Sequence, residues 1–322
     1  MEWGMSNYQY VAGSDLDTVT GTDQDDVFDF VSAPYRVVLQ AQGGNDVIFG
    51  GGGNDELSGG AGRDTLLGGL GNDVVDGGAD DDLITDGGAS PIHTGNDTVY
   101  GGAGNDTVWY GNDLDASTIY GNRGNDLLTG GLGNDVIYGD DGKDSSLTDG
   151  NDSIRGGKGN DTIYGGGGND TIRGSLGEGS DWVYGGDGDD VIGYDSDAST
   201  VVLFGDAGND QITGGLASDL LYGGDGNDTI VGGYGNDTLT GNAGNDVLTG
   251  GAGADRFVFA AGEGRDLIRD FSYAQGDRIA LNGQAYSVST SAAGYALLDL
   301  GGGNAIELQG VTATQVNDRF FV

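Results

Sequence analysis

Along most of this chain the large apolar residues recur once in every nine positions, separated by runs of Gly, Asn and Asp. Three units follow one another without a break, GGGGNDELS (50–58), GGAGRDTLL (59–67) and GGLGNDVVD (68–76). The pattern returns as GGAGNDTVW (101–109), GGLGNDVIY (130–138), GGKGNDTIY (156–164) and GGGGNDTIR (165–173), then as GGDGNDTIV (223–231), GGYGNDTLT (232–240) and GNAGNDVLT (241–249). The six residues GGxGND read as a turn, because so many glycines weaken a strand and suit positive φ. The last three alternate outward, inward, outward as a short strand. One apolar residue per unit then points inward, as at Ile48, Leu57, Leu66, Val75, Ile137, Ile163, Ile172, Ile230, Leu239 and Leu248. Two units make a coil of about 18 residues; coils stacked at about 4.8 Å would build a rod on the order of 60 Å long around a thin double file of aliphatic side chains.

Composition narrows this picture. Gly is 70 of 322 residues and Pro only 2, with no three-residue collagen period. Asp plus Glu number 52 against 12 Lys plus Arg, a formal charge of −40. An acidic disordered chain would lack regularly spaced aromatic and β-branched residues, which recur here at fixed intervals. So negative a chain has little to offer a phosphate backbone, which argues against a nucleic-acid partner; an anionic membrane surface is disfavoured for the same reason. There is no Cys, so disulfides and thiolate metal sites drop out. The start, MEWGMSNYQYVAG, has neither the basic residues nor the apolar stretch of a secretory signal peptide, and no transmembrane segment is predicted because nothing approaches the ~20 apolar residues of a span.

The repeated unit resembles the nonapeptide GGxGxDxUx (U, a large apolar residue) of the repeats-in-toxin (RTX) family of hemolysin-type calcium-binding proteins. The resemblance implies an all-β fold, a right-handed parallel β-roll (a calcium-bound β-solenoid) with a C-terminal β capping segment. Successive units turn at opposite edges, so Asp46, Asp64 and Asp82 fall in one file and Asp55 and Asp73 in the other, neighbours in a file being 18 residues apart. At an effective dielectric of 20, two carboxylates about 5 Å apart repel by roughly 3 kcal/mol, so such files require a cation. Calcium takes 6–8 oxygens and accepts carboxylates together with backbone carbonyls, whereas magnesium demands a stricter octahedron. The predicted metal ligands are Asp46, Asp55, Asp64, Asp73, Asp82, Asp97, Asp106, Asp126, Asp135, Asp152, Asp161, Asp170, Asp190, Asp210, Asp219, Asp228, Asp237, Asp246 and Asp255, with roughly 15–20 Ca2+ ions as the cofactor. About 20 divalent ions would offset the formal charge of −40. Asn-Asp is also ordinary turn chemistry, which accounts for one turn but not for Asp at the same place in nearly every unit.

The nonapeptide lapses at 86–91, and eleven-residue stretches interrupt it at 110–120, 174–184 and 194–204. Segments 110–138 and 194–222 read as copies, both containing DAST and a later TGGL. Outward Tyr100, Tyr120 and Tyr138, and then Tyr164, Tyr184, Phe204 and Tyr222, lie at whole-coil spacings. They predict aromatic stripes that either stiffen a sheet or form a docking face. The one histidine, His93, sits beside the 86–91 lapse and reads as a surface residue.

From residue 250 the pattern changes. The expected organisation is an N-terminal cap over 1–20, a calcium-binding roll over 21–258, and a C-terminal β cap with a type I secretion signal over 259–322. A cap is required to cover the last open edge and plug the apolar file, and Phe257, Phe259, Leu267, Ile268 and Phe271 suit that role. Asp266, Asp270 and Asp277 suit either a further ion or a turn. The resemblance implies export by type I secretion machinery on an uncleaved C-terminus; Phe320-Phe321-Val322 is apolar as expected, but Arg319 breaks the usual acid-then-apolar order after Asp318. The sequence shows no HExxH or GxSxG motif and no Cys nucleophile. The expectation is therefore a secreted or cell-surface protein that is not an enzyme and that self-associates in calcium. An adhesin binding a glycan or cell-surface partner through its Tyr stripe is the alternative, and a polysaccharide-active enzyme using the 86–93 loop a third.

Overall fold

The computed structural model describes residues 18–86, 95–140, 149–174 and 179–322. The 86–93 loop, His93 and most of the 1–20 segment therefore lie outside the described residues, apart from Asp86 and 18–20. The chain divides into two compact units, Met1–Gly166 and Gly167–Val322.

In the first unit, successive strands alternate between two parallel sheets. One sheet runs Thr18–Thr20, Val38–Gly43, Glu56–Ala61, Val74–Ala79, Thr98–Ala103, Thr118–Arg123 and Val136–Tyr138. The other runs Val27–Asp29, Val47–Gly52, Thr65–Leu70, Leu83–Thr85, Thr107–Trp109, Leu127–Thr129 and Ser153–Arg155. Each strand pairs with the one a coil later in unshifted register, for example Ile48 with Leu66 and Leu57 with Val75. The second unit repeats this, one sheet beginning Trp182–Asp187, Val202–Ala207, Leu220–Asp225 and the other Thr171–Arg173, Val191–Gly193, Gln211–Thr213. Each unit is thus a parallel β-solenoid, as the nine-residue period predicts.

Many strands are longer than the sequence implies. Thr65–Leu70 carries on through two glycines, and Gly51 and Gly52 pair with Gly69 and Leu70 just as the aliphatic residues do. The chain bends without leaving the ladder because the second Gly of the unit lies at positive φ, 112° at Gly60 and 104° at Gly69, a region closed to most side chains. Where the second residue is not Gly, Asn122, Asp206 and Asn242 take similar angles of 73°, 72° and 68°, as Asn and Asp tolerate best.

The core is the double file expected. Ile48, Leu66, Ile84, Val108, Leu128 and Ile154 face Leu57, Val75, Val99, Ile119, Ile137 and Ile163 in the first unit, all buried. In the second, Ile172, Ile192, Ile212, Ile230 and Leu248 oppose Val183, Leu203, Leu221, Leu239 and Phe257. Phe257, Phe259, Ile268 and Phe271 are buried as predicted. Leu267 is only half-buried, because strand alternation in Arg265–Ile268 sends Asp266 and Ile268 inward. Beyond them, Asn304–Leu308 adds to Arg265–Ile268 in parallel, then Ala296–Gly301 and Ser287–Thr290 follow antiparallel. The change of direction ends the coil repeat and supplies the cap.

Two eleven-residue stretches form matching wide turns. Tyr110 and Tyr194 are buried, their carbonyls accept from the N–H of Asp113 and Asp197, and the carbonyls of Asp113 and Asp197 accept from Leu132 and Leu216. A third such turn, at Phe30–Ala33, escaped sequence comparison; the Ala33 N–H donates to the Phe30 carbonyl in the same way. The sequence reading also missed an insertion: Asp126 and Asp152 are bonded neighbours 26 residues apart, eight more than a coil, and residues 141–148 lie outside those described.

A core two residues thick has little room to relax around a deletion. Leu221→Ala is expected to cost about 3–5 kcal/mol, measured by denaturant unfolding in saturating calcium.

Candidate metal centre

The short Asp side chain, set at the end of each turn, reaches along the solenoid and not out of it. On one edge of the first unit, Asp46 Oδ1 accepts from the Asp26 N–H at 2.7 Å, Asp64 from Asp46 at 2.7 Å, Asp82 from Asp64 at 2.8 Å, and Asp106 from Asp82 at 2.7 Å. Asp126 and Asp152 extend this file. On the other edge Asp55 takes the Val37 N–H, Asp73 that of Asp55, and Asp97 that of Asp73; Asp135 and Asp161 follow after Ser117, which stands where an Asp is otherwise found. The second unit has files running through Asp190, Asp210, Asp228, Asp246 and Asp266, starting at the Asp170 N–H, and through Asp219, Asp237, Asp255 and Asp277. The edges inferred from 18-residue spacing are therefore real, and every predicted ligand lies buried in one of them.

The second carboxylate oxygen is the chemically telling atom. Oδ2 of Asp46, Asp55, Asp64, Asp73, Asp82, Asp106, Asp126, Asp190, Asp210, Asp228, Asp237 and Asp255 is buried with no hydrogen-bond partner. A buried anionic oxygen without a partner is strongly disfavoured, and the acidities register it. Burial, opposed by the backbone hydrogen bond and reinforced by neighbouring carboxylates, raises Asp82 and Asp126 to about 8, Asp73, Asp190 and Asp237 to about 7, and Asp46, Asp210 and Asp228 to about 6.

The first Gly of each unit completes the setting. A Cβ on Gly101 would lie 2.7 Å from Asp106 Oδ2 and 2.6 Å from the Gly121 carbonyl oxygen of the next coil. The same pairing of an Asp Oδ2 with a carbonyl one coil on surrounds Gly50, Gly59, Gly77, Gly121, Gly185, Gly205, Gly223 and Gly232. These glycines are required by the oxygens that converge on them and not by backbone angle. Among the described residues no three acidic or histidine side chains converge, so an ion here takes carboxylate oxygens one or two at a time and completes its shell with carbonyls. That all-oxygen donor set fits calcium.

Sequence reasoning also overlooked the residue before each Asp. The Oδ1 of Asn54 accepts from the Asn72 N–H, Asn209 from Asn227, and Asn227 from Asn245, at 3.0, 3.0 and 2.9 Å. Asp side chains reach back one coil and Asn side chains receive from the next, so each turn is tied in both directions. The recurrence of Asn at coil spacing was the available signal. At the C-terminal end Asp270 holds the N–H groups of Gly250 and Gly251, and Asp277 those of Asp255 and Ser272, which is turn chemistry.

These features define a calcium-binding parallel β-solenoid. The sequence pattern of the RTX calcium-binding nonapeptide repeat matches in overlapping segments, 38–66, 49–84, 93–116, 113–145, 147–178, 176–201, 202–230, 222–257 and 231–268. This chain belongs to that family, and its many repeats bind multiple calcium ions. No curated protein matches the sequence. Among solved structures, the extracellular lipase of Serratia marcescens is 22% identical over 64% of this chain and 40% of its own length, with a TM-score of 0.31. A subunit of the mannuronan C5-epimerase of Azotobacter vinelandii is 30% identical over 33% of this chain and 79% of its own, with a TM-score of 0.16. The chain thus spans less than half the length of the lipase.

Two outcomes follow from this geometry. Carboxylates whose pKa is raised by folding bind protons more tightly in the folded chain. The calcium-free fold therefore gains stability as pH falls from about 8 toward 5, and calcium, which must displace those protons, binds less tightly over the same window. Circular dichroism is expected to show more β signal at pH 5 than at pH 8 without calcium, and a lower half-saturating calcium concentration at pH 8 than at pH 6. Separately, Gly101→Ala sets a methyl against two oxygens at a cost of about 1–3 kcal/mol, read as a rise in the calcium concentration at the folding midpoint.

Proposed function

We propose that this protein works outside the cell as a non-enzymatic structural element, exported unfolded, folded by calcium, and assembled with further copies of itself. The observation that carries the reading is an apolar outward face in the second unit. Trp182, Val202 and Leu220 are in register on adjacent strands, Val202 being buried and the other two exposed, and Tyr184, Phe204 and Tyr222 are likewise in register. Trp182 is 49% exposed and Leu220 37%, on a chain whose formal charge is −40. Calcium removes the repulsion that keeps copies apart, and a face of this kind then favours association.

The aromatic stripes favour this reading over a glycan-binding one. Tyr100, Tyr120, Tyr138 and Tyr164 stack with centroids 4.8–5.0 Å apart and planes within 11°, and Tyr184, Phe204 and Tyr222 stack at 4.8 Å. Rings stacked in this way cover one another's faces and present edges, whereas a sugar would need an open face. The stacks serve as ladders that stiffen a sheet.

Export before folding is supported by Phe320, which is buried against Phe271 with ring centroids 4.9 Å apart. In the folded chain the Phe320 ring is thus withdrawn into the cap, which favours recognition of that residue before folding. Cytosolic calcium is too scarce to load sites of the 10⁻⁴–10⁻³ M class usual in extracellular modules. No helix among the described residues is long and apolar enough to cross a membrane.

A calcium titration followed by circular dichroism and light scattering tests the reading: folding is expected first, then particle growth at millimolar calcium. Trp182→Ser combined with Leu220→Ser is expected to abolish growth and leave the folding midpoint within about twofold, since exposed substitutions usually cost within ±0.5 kcal/mol. A native chain that stays monomeric at high concentration in millimolar calcium would overturn self-assembly.

A further inference from the structure

Asp135 and Asp219 occupy repeat positions and sit in the carboxylate files, yet their bonding differs from that of their neighbours. Each Oδ1 accepts from the residue one coil earlier, from Ser117 at 2.7 Å and Val201 at 3.0 Å. Each Oδ2 accepts as well, from the Gly131 N–H at 2.6 Å and the Gly215 N–H at 2.8 Å. Both oxygens of both carboxylates are thus satisfied by the backbone.

The cause lies in the preceding coil. Elsewhere the second Gly of the unit has positive φ, as at Gly157 (105°) and Gly233 (109°), but Gly131 and Gly215 lie outside that region. The wide turns at 110–117 and 194–201 place the carbonyls of Asp113 and Asp197 against these glycines, 2.6 and 2.5 Å from where a Cβ would stand. The same carbonyls take the N–H of Leu132 and Leu216 at 2.6 Å. The peptide before the second Gly therefore turns its N–H toward the carboxylate.

An N–H pointed at Oδ2 brings positive partial charge to the atom that would ligate a cation, and the two compete for it. In the preceding coil Ser117 and Val201 stand in the Asp position, and the buried carboxylates there, Asp113 and Asp197, accept from their own wide turns, Asp113 from the Asp115 N–H and the Ser117 hydroxyl and Asp197 from the Ser199 N–H. Asp55 follows a similar residue, Val37, but there Gly51 keeps a positive φ of 115° and Asp55 Oδ2 has no partner, so the orientation of the Gly peptide decides. Asp26 is closed like Asp135, its Oδ2 receiving the N–H and hydroxyl of Thr22 at 2.8 and 2.9 Å.

We propose that Asp135 and Asp219 bind no calcium and instead close their turns by hydrogen bonds, interrupting one calcium file once in each compact unit. These turns form without metal. They divide that file into separate blocks, and the chain carries fewer ions than it has repeat aspartates.

The full chain, dialysed against calcium and assayed by atomic emission, tests this. Asp135→Asn with Asp219→Asn is expected to retain the wild-type number of ions per chain, whereas Asp73→Asn with Asp237→Asn loses at least one. Loss of ions in the first variant overturns the proposal. Because either variant could misfold, terbium-soaked crystals of the wild type provide the second measurement. Anomalous peaks beside Asp73 and Asp237 with none at Asp135 or Asp219 Oδ2 are expected, and a peak at either of the latter overturns it.

Discussion

A carboxylate with one oxygen bonded along the solenoid and the other buried without a proton donor is the interaction on which this structure depends. The bonded oxygen fixes the register between coils. The other makes each coil incomplete by itself, since a bare oxygen such as Asp82 Oδ2, held near other carboxylates, favours either a proton or a cation. A cation bound at such an oxygen therefore stabilises the fold, because metal binding and folding are linked.

Glycine enters this arrangement for two separate reasons. At the second position of the unit it provides the positive φ that lets a strand bend and continue its ladder, as at Gly60. At the first position it leaves room for oxygens, as at Gly101 between Asp106 and the Gly121 carbonyl. Gly131 and Gly215 depart from the first of these rules, and at both places the carboxylate is met by an N–H. The metal chemistry of a turn is thus set by the direction of a single peptide.

The core contributes in a more ordinary way. A double file of buried aliphatic residues fills the coils, and hydrogen bonds join each coil to the next. The Asp and Asn side chains bond in opposite directions along each edge, stacked tyrosines add to selected faces, and antiparallel strands after residue 280 close the end where the parallel ladder would lie open.

The nine-residue period by itself determined the solenoid, the inward residues and the 18-residue steps of the carboxylate files, because a strict local repeat permits only one way of stacking; calcium followed from the resemblance to the RTX repeat and the oxygen donors, and the 24- and 26-residue steps of the files were seen only in the structure. Tertiary structure decided what the period does not encode. Strand length depended on whether ladder bonds persist through GG, Leu267 turned outward because its strand took up the alternation at Asp266, and the wide turn at Phe30–Ala33 was recognisable only by its bonding. Asp135 and Asp219 are the sharpest case. The Asp135 unit, GGLGND, matches the other repeats and the Asp219 unit, GGLASD, keeps the Gly pair and the Asp, and what separates both is the orientation of a neighbouring peptide, imposed by a turn one coil away in space and some twenty residues away in sequence.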